Sequence, residues 1–472
     1  MLLFLILLPL LGAPIAFLLP KTARKILLPM VSFIHLSGVV SLWQFLPMDQ
    51  FHGFLGLDIL GRLVLTVVSI LFAAVSLYLW GYLNERQDHP NRIFVISLLL
   101  FLSAMTLVTM SRHMGLLWIA VEATTLLSAP LINFYRSPQS VEATWKYLLI
   151  CSVGIAMALL GTLFLAVSAT GVGTVSLGIL LNNGPLLSIP WLKLSVIFLF
   201  VGYGTKMGLA PMHTWLPDAH SEAPSPISAL LSGVLLNCAF LSVLRVFQIC
   251  AAAGQTAFAQ DLLLVMGLLS LVIASIFVVG QPDYKRMFAY SSVENMGILA
   301  IGMALGGIGI YGSLFHMINN AFAKGMAFLV TGNLYQIYKS KKVSDITGLL
   351  SDYPVTGIFL LMGFLAVTGI PPFGTFYSEL MILKAAIESG HFWVAFFYIL
   401  FLAVIFMGIA QSVLKMLHGG TKKQTGAQVK KEDIKLAIPI LFLGLPVLIL
   451  GLYMPSFLND ALKESSALLG GR

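Results

Sequence analysis

The amino-acid sequence predicts an all-α polytopic membrane protein with about fourteen transmembrane helices. Three observations lead to this fold class. Hydrophobic residues make up 58% of the 472 positions and charged residues only 10%, far from the balance of a soluble domain. Apolar runs of about 20 residues, long enough to cross a bilayer, recur along the chain. Two of these runs are interrupted by similar proline-containing stretches, which indicates two related halves.

The apolar runs give the order of the predicted spans, and the breaks divide them into units. We expect one membrane domain over 1–472, with three N-terminal helices at 1–92 and a final helix with a short tail at 437–472. Between them lie a first repeat at 93–250 and a second at 261–417. The spans are approximately 2–20, 26–46, 60–82, 93–110, 114–134, 147–170, 191–210, 227–249, 261–279, 288–305, 310–337, 353–388, 392–416 and 437–455.

The two breaks are the feature around which the spans are organised. Residues 208–218, GLAPMHTWLPD, and residues 369–379, GIPPFGTFYSE, share the order glycine, apolar residue, proline, threonine, aromatic residue and carboxylate. Proline removes a backbone donor and clashes with the preceding turn, so a helix must unwind there. Two ordinary proline kinks are the alternative. Because an odd number of spans separates the breaks, the units are predicted to be inverted repeats. The expected hinges are Gly208, Pro211, Gly369, Pro371 and Pro372.

The net charge of +8 is concentrated in alternate connections between the spans. The connections after even-numbered spans carry chiefly Arg112, and the connection after the seventh span has no base. By the positive-inside rule the base-rich connections face the cytoplasm, which places both termini on the outer face of the cell inner membrane. A nucleic-acid-binding patch fits bases spread over separate loops less well. The base-rich connections hold Lys21, Arg24, Lys25, Arg86, Arg92, Arg136, Lys146, Lys285, Arg286, Lys339, Lys341, Lys342, Lys422, Lys423, Lys430, Lys431 and Lys435.

Ionisable residues inside the spans are the candidate functional residues, because a buried charge costs several kcal/mol unless it is paired or hydrated. Glu122 lies in the fifth span and Lys206 just before the first break. A carboxylate and a lysine in neighbouring spans can neutralise each other and exchange protons, or form a fixed salt bridge.

The second half carries a similar series. The spacing of His316, Asn320 and Lys324 places them on one face of a helix. Histidine and a desolvated lysine both suit proton relay, although His316 alone is equally consistent with an interhelical hydrogen bond. Glu379 follows the second break, and its position in the repeat suggests a terminal proton carrier. The further candidates are Lys384 along the same helix and Glu294, which lies either in the interior or near the membrane surface.

Other chemistry receives little support from the sequence. His213, Asp218, His220 and Glu222 cluster after the first break, but the intervening prolines scatter them as metal ligands. The three cysteines lack the spacing of an iron–sulfur or zinc site. No nucleotide fingerprint, haem motif or catalytic triad is visible. We therefore expect no catalytic residues, metal or cofactor on this chain, and ion transfer as its chemistry.

The motifs resemble a known family. The run from Lys206 to Gly233, with Lys285-Arg-Met-Phe-Ala-Tyr-Ser-Ser and Gly369-Ile-Pro-Pro-Phe, is similar to antiporter-like subunits of respiratory complex I, energy-converting hydrogenases and multisubunit sodium/proton antiporters. Residues 289–297, AYSSVENMG, and 376–383, FYSELMIL, look most like the F component of hydrogenase-4 and formate hydrogenlyase complexes. The resemblance covers almost the whole chain.

By motif, the resemblance implies that Glu122 pairs with Lys206, that His316 and Lys324 form the central relay, and that Glu379 is the terminal group. The chain departs from relatives at Asn237, where many have a lysine or histidine. Asn320 likewise replaces a histidine of some relatives. Amides cannot take up a proton, so a relay would need water at these two places.

The predicted function is proton translocation in a hydrogenase-like or NADH:quinone oxidoreductase-like complex. The expected partners are other membrane subunits and, through them, peripheral redox subunits with iron–sulfur clusters. Two alternatives remain: a sodium/proton exchange subunit without redox chemistry, and a structural scaffold that has lost its channel. The titratable groups retained inside the spans argue against the scaffold.

Overall fold

The computed structural model describes residues 1–44, 49–51, 53–84, 91–419 and 432–470. Within these ranges the regular elements are helices, accompanied by isolated β-bridges. Arg86, Lys422, Lys423, Lys430 and Lys431, which support the predicted topology, lie outside the described residues.

The α-helices are numbered here in chain order. They are α1 (Leu2–Leu18), α2 (Lys21–Ser41), α3 (Ile59–Asn84), α4 (Arg92–Met110), α5 (Met114–Ile132), α6 (Pro138–Ser168), α7 (Leu177–Asn182), α8 (Ile189–Met207), α9 (Trp215–Glu222), α10 (Ser225–Leu230), α11 (Leu236–Ala252), α12 (Thr256–Val278), α13 (Tyr284–Leu305), α14 (Gly307–Tyr338), α15 (Leu349–Asp352), α16 (Pro354–Val367), α17 (Gly374–Glu388), α18 (Phe392–Leu417), α19 (Ile434–Leu452) and α20 (Ser456–Ala467). A π-helical turn, Leu231–Leu235, joins α10 to α11.

Ten helical segments among the described residues are long and apolar enough to cross a membrane. They correspond to α2 to α6, to α10 and α11 taken together, and to α12, α13, α18 and α19. The helices α1 and α16 are apolar but shorter. The helices α8 and α14, which carry Lys206 and Lys324, are not among the ten. The chain is therefore a multi-pass membrane protein, and the two lysines that are 0% exposed lie on helices outside these ten.

Helix breaks occur at both places where the sequence predicts them. The helix α8 ends where Gly208 adopts a φ of 83°, and α16 is followed by Gly369 with a φ of 61°. This left-handed backbone favours glycine, which has no Cβ. The peptide bonds Ala210–Pro211 and Pro371–Pro372 are both cis. The two interruptions thus share residue types and backbone geometry.

Close helix packing supports the first break. An added Cβ at Gly202 in α8 would lie 2.6 Å from the carbonyl oxygen of Gly154 in α6. Small residues at such positions let two backbones approach, which is a common basis for helix association in membranes. Lys206 lies one turn beyond Gly202, so this contact holds α6 and α8 together next to the buried lysine.

An ion cluster joins the N-terminal helices to α11 at one end of the bundle, named here the Asp58 end. Asp58 accepts two hydrogen bonds from Arg245, at 2.5 and 2.7 Å, and one from Arg112 at 3.0 Å. Arg245 is 1% exposed. Burial alone would raise the pKa of Asp58, but the two guanidinium groups hold that pKa well below its usual value.

This ion cluster should contribute strongly to the stability of the fold. Asp58→Asn leaves the buried Arg245 without its carboxylate, so we expect a loss of about 3–5 kcal/mol in the free energy of unfolding. Because the native pKa of Asp58 is lowered, its contribution is complete above pH about 4 and disappears as the pH falls through the native pKa. Unfolding of the detergent-solubilised protein, measured from neutral to acidic pH, checks this.

The matched control is Asp261→Asn, because Asp261 is exposed in α12. This variant should unfold like the wild type throughout the pH range. Equal stability of Asp58→Asn and the wild type at neutral pH would contradict the assignment of Asp58 as the anchor of Arg245.

The opposite end of the bundle, named here the Asp218 end, fixes the helix that follows the first break. Asp218 in α9 pairs with Lys146 of α6 at 3.1 Å and with Arg286 of α13. Glu222 at the end of α9 pairs with Lys341 at 2.8 Å. Contacts with three different parts of the chain therefore hold α9 in place.

The C-terminal part differs from the expected short tail, because it contains the helix α20. Tyr311 at the start of α14 donates to Asn459 of α20 at 2.9 Å. The rings of Trp43 and Phe457 are in edge contact, with their centroids 6.2 Å apart. The helix α20 is short, and only one face of it is apolar, so hydropathy alone did not indicate it as a span.

Candidate functional site

Lys206 lies at the C-terminal end of α8, directly before the first break. Its side chain is 0% exposed. Its Nζ donates to Thr125 Oγ1 at 2.9 Å and to Tyr147 OH at 2.6 Å, and it lies 6.0 Å from the ring centroid of Trp215. Hydroxyl oxygens and π faces stabilise an ammonium group that water does not reach. Lys206 is thus solvated by neutral groups of α5, α6 and α9.

Glu122 does not form the direct ion pair with Lys206 that the resemblance implies. Its Oε1 accepts from Ser152 Oγ at 3.4 Å, and its Oε2 has no hydrogen-bond partner among the described residues. The carboxylate still acts electrostatically on Lys206. The interaction is therefore through space, with the hydroxyl groups of Thr125 and Tyr147 as the immediate partners of the ammonium.

The region between Lys206 and Lys324 contains amides and hydroxyls. The Nδ2 atom of Asn237 donates to Gly233 O at 2.8 Å, across the π-helical turn, while its Oδ1 has no hydrogen-bond partner among the residues that the structure describes. Asn320 is 1% exposed, and neither of its side-chain polar atoms has a partner in the described part of the chain. Ser232 and Ser292 form a hydrogen bond of 2.7 Å. Buried polar atoms without protein partners are sites where water binds.

Lys324, like Lys206, is 0% exposed. Its Nζ donates to Ser291 Oγ in a short hydrogen bond and to Phe288 O at 3.3 Å. Glu294 acts electrostatically on Lys324 from α13. Glu294 is 3% exposed, and its Oε2 has no partner among the described residues. Of the two positions left open by the sequence, Glu294 therefore occupies the interior.

His316 lies between two hydrogen-bonding groups. Its Nε2 is 2.8 Å from Asn295 Oδ1, and its Nδ1 is 2.9 Å from Ser378 Oγ. The Ser378 hydroxyl also donates to Thr375 O at 2.8 Å. Because this hydroxyl can turn between Thr375 O and Nδ1, the site can hold the neutral ring or the imidazolium ion. His316 thereby connects α13 to the helix that follows the second break.

Glu379 lies beyond this contact, next to the unwound segment. An added Cβ at Gly369 would come within 2.1 Å of Glu379 Oε2, so the carboxylate packs directly on the glycine of the break. Lys384 is apart from this group, because its half-exposed side chain faces Glu388 at 3.5 Å. Asn319 lies similarly close to Gly374, the first residue of α17.

The buried polar residues from Glu122 to Glu379 are called the polar axis below. Several of them could not be recognised as functional from the sequence. They are neutral residues, and serine, threonine, tyrosine and asparagine are common interhelical hydrogen-bonding groups in membrane proteins. One signal was present: Ser291 and Asn295 are four residues apart on either side of Glu294, which places a polar face on α13. The missed residues are Thr125, Tyr147, Ser291, Asn295, Asn319 and Ser378.

The residues considered as a metal cluster contact different partners. Asp218 and Glu222 are in the ion pairs of the Asp218 end, whereas the His220 ring stacks on Phe328 at 5.0 Å. Among the described residues, no group of three or more histidine, cysteine, aspartate or glutamate side chains is arranged to hold a metal ion.

Comparison with known proteins places this axis in a family context. A family model described as "NADH:quinone oxidoreductase/Mrp antiporter, TM" matches residues 111–406, which include every titratable group of the axis. A hydrogenase-4 component F homolog from Methylacidiphilum infernorum is 37% identical over 369 residues, covering 75% of this chain and 77% of the relative. NADH-quinone oxidoreductase subunit N from Desulforudis audaxviator is 26% identical, covering 86% of this chain and 83% of the relative.

A solved structure shows the same fold. A chain of the membrane-bound sulfane sulfur reductase, an archaeal respiratory membrane complex, aligns with a TM-score of 0.89 at 22% identity. The alignment covers 100% of this chain and 98% of that chain. From the family match and the hydrogenase-4 relative, this chain belongs to the NADH:quinone oxidoreductase/Mrp antiporter family and is an antiporter-like membrane subunit.

Proposed function

We propose that this chain translocates protons in a redox-driven membrane complex, along the polar axis from Glu122 to Glu379. The observation that carries this proposal is the environment of Lys206 and Lys324. Each ammonium is fully buried and contacts hydroxyl or carbonyl oxygens. An ammonium whose direct contacts are neutral groups loses its proton more readily than one fixed in an ion pair, because no carboxylate lies in direct contact with the charged form.

The contacts of Lys206 suggest how its proton moves. When the amine is protonated, the oxygens of Thr125 and Tyr147 accept its hydrogen bonds. When the amine is neutral, the Tyr147 hydroxyl, which also contacts Ser128 at 2.5 Å, can turn and donate to it. If a positive charge approached Glu122, it would offset the electrostatic stabilisation that the carboxylate gives to protonated Lys206. Release of the proton from Lys206 would then be favoured.

The proton then continues through water and the second half of the axis. Water bound at Asn237 and Asn320 bridges the two places without titratable groups. Lys324 receives the proton beside Glu294, and water carries it on to His316. The imidazole takes up and releases the proton at Nδ1, beside the Ser378 hydroxyl, while the amide oxygen of Asn295 only accepts a hydrogen bond from Nε2. Unwound backbone at the breaks supports this role, because such backbone in a membrane is stable only within protein or beside water.

The complete complex would supply the energy. The relatives named above include a hydrogenase-4 component and a subunit of an NADH-quinone oxidoreductase, so a redox step in partner subunits is the proposed driving reaction. We propose that other membrane subunits adjoin this chain and connect it to peripheral subunits with iron–sulfur clusters. This chain itself would carry the ion pathway and no cofactor.

The proposed topology follows from the distribution of charge and from the two breaks. We propose fourteen crossings of the cell inner membrane, two inverted five-helix repeats, and both termini on the outer face. The Asp58 end would then face outward and the Asp218 end the cytoplasm. Lys146, Arg286 and Lys341, described at the Asp218 end, are consistent with this orientation.

The second prediction tests the function. In proteoliposomes containing the intact complex, addition of its electron donor should change the internal pH in sodium-free medium, because proton movement is coupled to electron flow. A pH-sensitive dye measures the change, and a protonophore should abolish it. The sodium/proton exchange alternative would be favoured by sodium uptake driven by an imposed pH gradient without a donor, together with no donor-driven pH change.

A further inference from the structure

The helix α19 packs directly against the second break. An added Cβ at Gly451, near the end of α19, would overlap the carbonyl oxygen of Pro372 and would lie 2.7 Å from the backbone nitrogen of Gly374. Both are backbone atoms, so no change of rotamer makes room for a side chain at this position. The glycine therefore lets the backbones of α19 and the break meet, as small residues do where helices pack closely in membranes.

The start of α17 is held from two further sides. An added Cβ at Gly374, the first residue of α17, would overlap the side-chain amide of Asn319 in α14. On the side of α16, Thr375 Oγ1 donates to Ala366 O at 2.7 Å. With Gly451 on the third side, contacts from α14, α16 and α19 together fix the first turn of α17.

The position of this turn matters for the polar axis, because the turn carries Ser378. The Ser378 hydroxyl donates to Thr375 O at 2.8 Å and lies 2.9 Å from His316 Nδ1. A hydrogen bond weakens steeply when its partners move apart or lose their alignment. A displacement of the first turn of α17 would therefore weaken the contact between Ser378 and His316.

The first break has a comparable support from α12. The backbone N–H of Ala210, within the unwound segment, donates to Ser270 Oγ of α12 at 2.9 Å. In chain order, each break is followed by a shorter helix, then by one long helical segment, and then by the helix that contacts the break. The helix α19 thus stands to the second break as α12 stands to the first.

We propose that Gly451 is a positioning residue of the polar axis. Through this glycine, α19 fixes the first turn of α17 and keeps Ser378 within hydrogen-bond distance of His316. The effect on transport rests on the proposed function, because the position of Ser378 matters for pumping only if protons pass through His316. The effect on the hydrogen bond itself is independent of that function.

Gly451→Ala tests the proposal, because the added methyl group has to displace the backbone of the break. In the intact complex, we expect coupled proton transport to fall by about 10- to 100-fold, since a misplacement of about 1 Å can have effects of this size. Electron transfer should persist at least in part. The nitrogen NMR signals of His316 in the histidine-labelled complex, assigned by their loss in His316→Gln, should shift because they report the contact with Ser378.

Gly444→Ala is the matched control on the same helix. Its added Cβ would lie 2.7 Å from the Sδ atom of Met326, and a flexible methionine side chain can move aside. Transport and the His316 signals should therefore stay at wild-type values.

Val447→Ala is a second variant that creates no overlap. Val447 is 0% exposed and lies one turn before Gly451 on the same face of α19. Its shorter side chain should loosen the packing of α19 while the complex still assembles, and the His316 signals should shift in this variant as well, by a smaller amount.

Wild-type His316 signals in every variant of Gly451 and Val447 that assembles would overturn the proposal. Shifted signals with normal pumping would support the positioning role and would contradict the passage of protons through His316. Failure of this role and failure of the proposed function therefore give different results.

Discussion

Lys206→Met should reduce coupled proton transport by about 10²-fold, the typical loss when a group that transfers protons is removed. Methionine retains the length of the side chain and its apolar contacts but cannot carry a proton. Thr125 and Tyr147 would then have no titratable group to contact, and Glu122 would lose the nearest buried cation. Donor-driven pH changes in proteoliposomes, normalised to the amount of assembled complex, measure the effect.

Lys193→Met is the control for this experiment. Lys193 lies in the first turns of the same helix, α8, where its ammonium is 5.2 Å from the ring centroid of Phe258. The substitution removes the same charge from the same helix at a distance from the axis, so transport should persist. If Lys206→Met assembles and transports at the wild-type rate, Lys206 is a structural base and is not part of the pathway.

Glu379→Gln should abolish or severely reduce proton pumping while electron transfer to acceptors persists at least in part. Glutamine retains the shape and the hydrogen-bonding capacity of the side chain but removes its titration. The carboxylate packs on Gly369 in the unwound segment, and it follows the start of α17, whose N-terminal dipole favours a negative charge. Parallel measurements of donor oxidation and internal pH separate the two activities.

Glu388→Gln provides the comparison within α17. Its carboxylate is half-exposed and pairs with Lys384, so the loss of its charge should leave pumping unchanged. Normal proton stoichiometry in Glu379→Gln would show that Glu379 stabilises the helix start and that the proton leaves through another group.

The helix breaks could be predicted from the sequence because proline and glycine restrict or permit particular backbone geometry locally. Gly208 and Gly369 occupy left-handed conformations that the repeated motif indicates. The polar stripe of α14 was also predictable, since helical periodicity places His316 and Lys324 on one face. Local residue chemistry was therefore sufficient to locate the principal titratable groups along the chain.

The partners of these groups could not be predicted, because they depend on how the helices pack. Neutral residues such as Tyr147 and Ser291 become important only when a lysine from another helix reaches them. Arg245 lies within the eighth predicted span, and the sequence gives no sign of its partner because Asp58 is 187 residues away. The direct Glu122–Lys206 contact was expected because the motifs correspond to those of the family. Such a correspondence predicts which helices lie close together, but it does not predict the distance between two side chains.

Lys206 and Glu379 are expected to act in series on one axis, and the double variant tests this directly. The measurement is the proton-to-electron ratio of the reconstituted complex carrying Lys206→Met, Glu379→Gln or both substitutions. Two substitutions on one proton path do not have additive effects, because a single block already stops proton movement along that path. The double variant should retain the ratio of the more impaired single variant. Two partial losses that add in the double variant would show independent pathways and contradict a single axis.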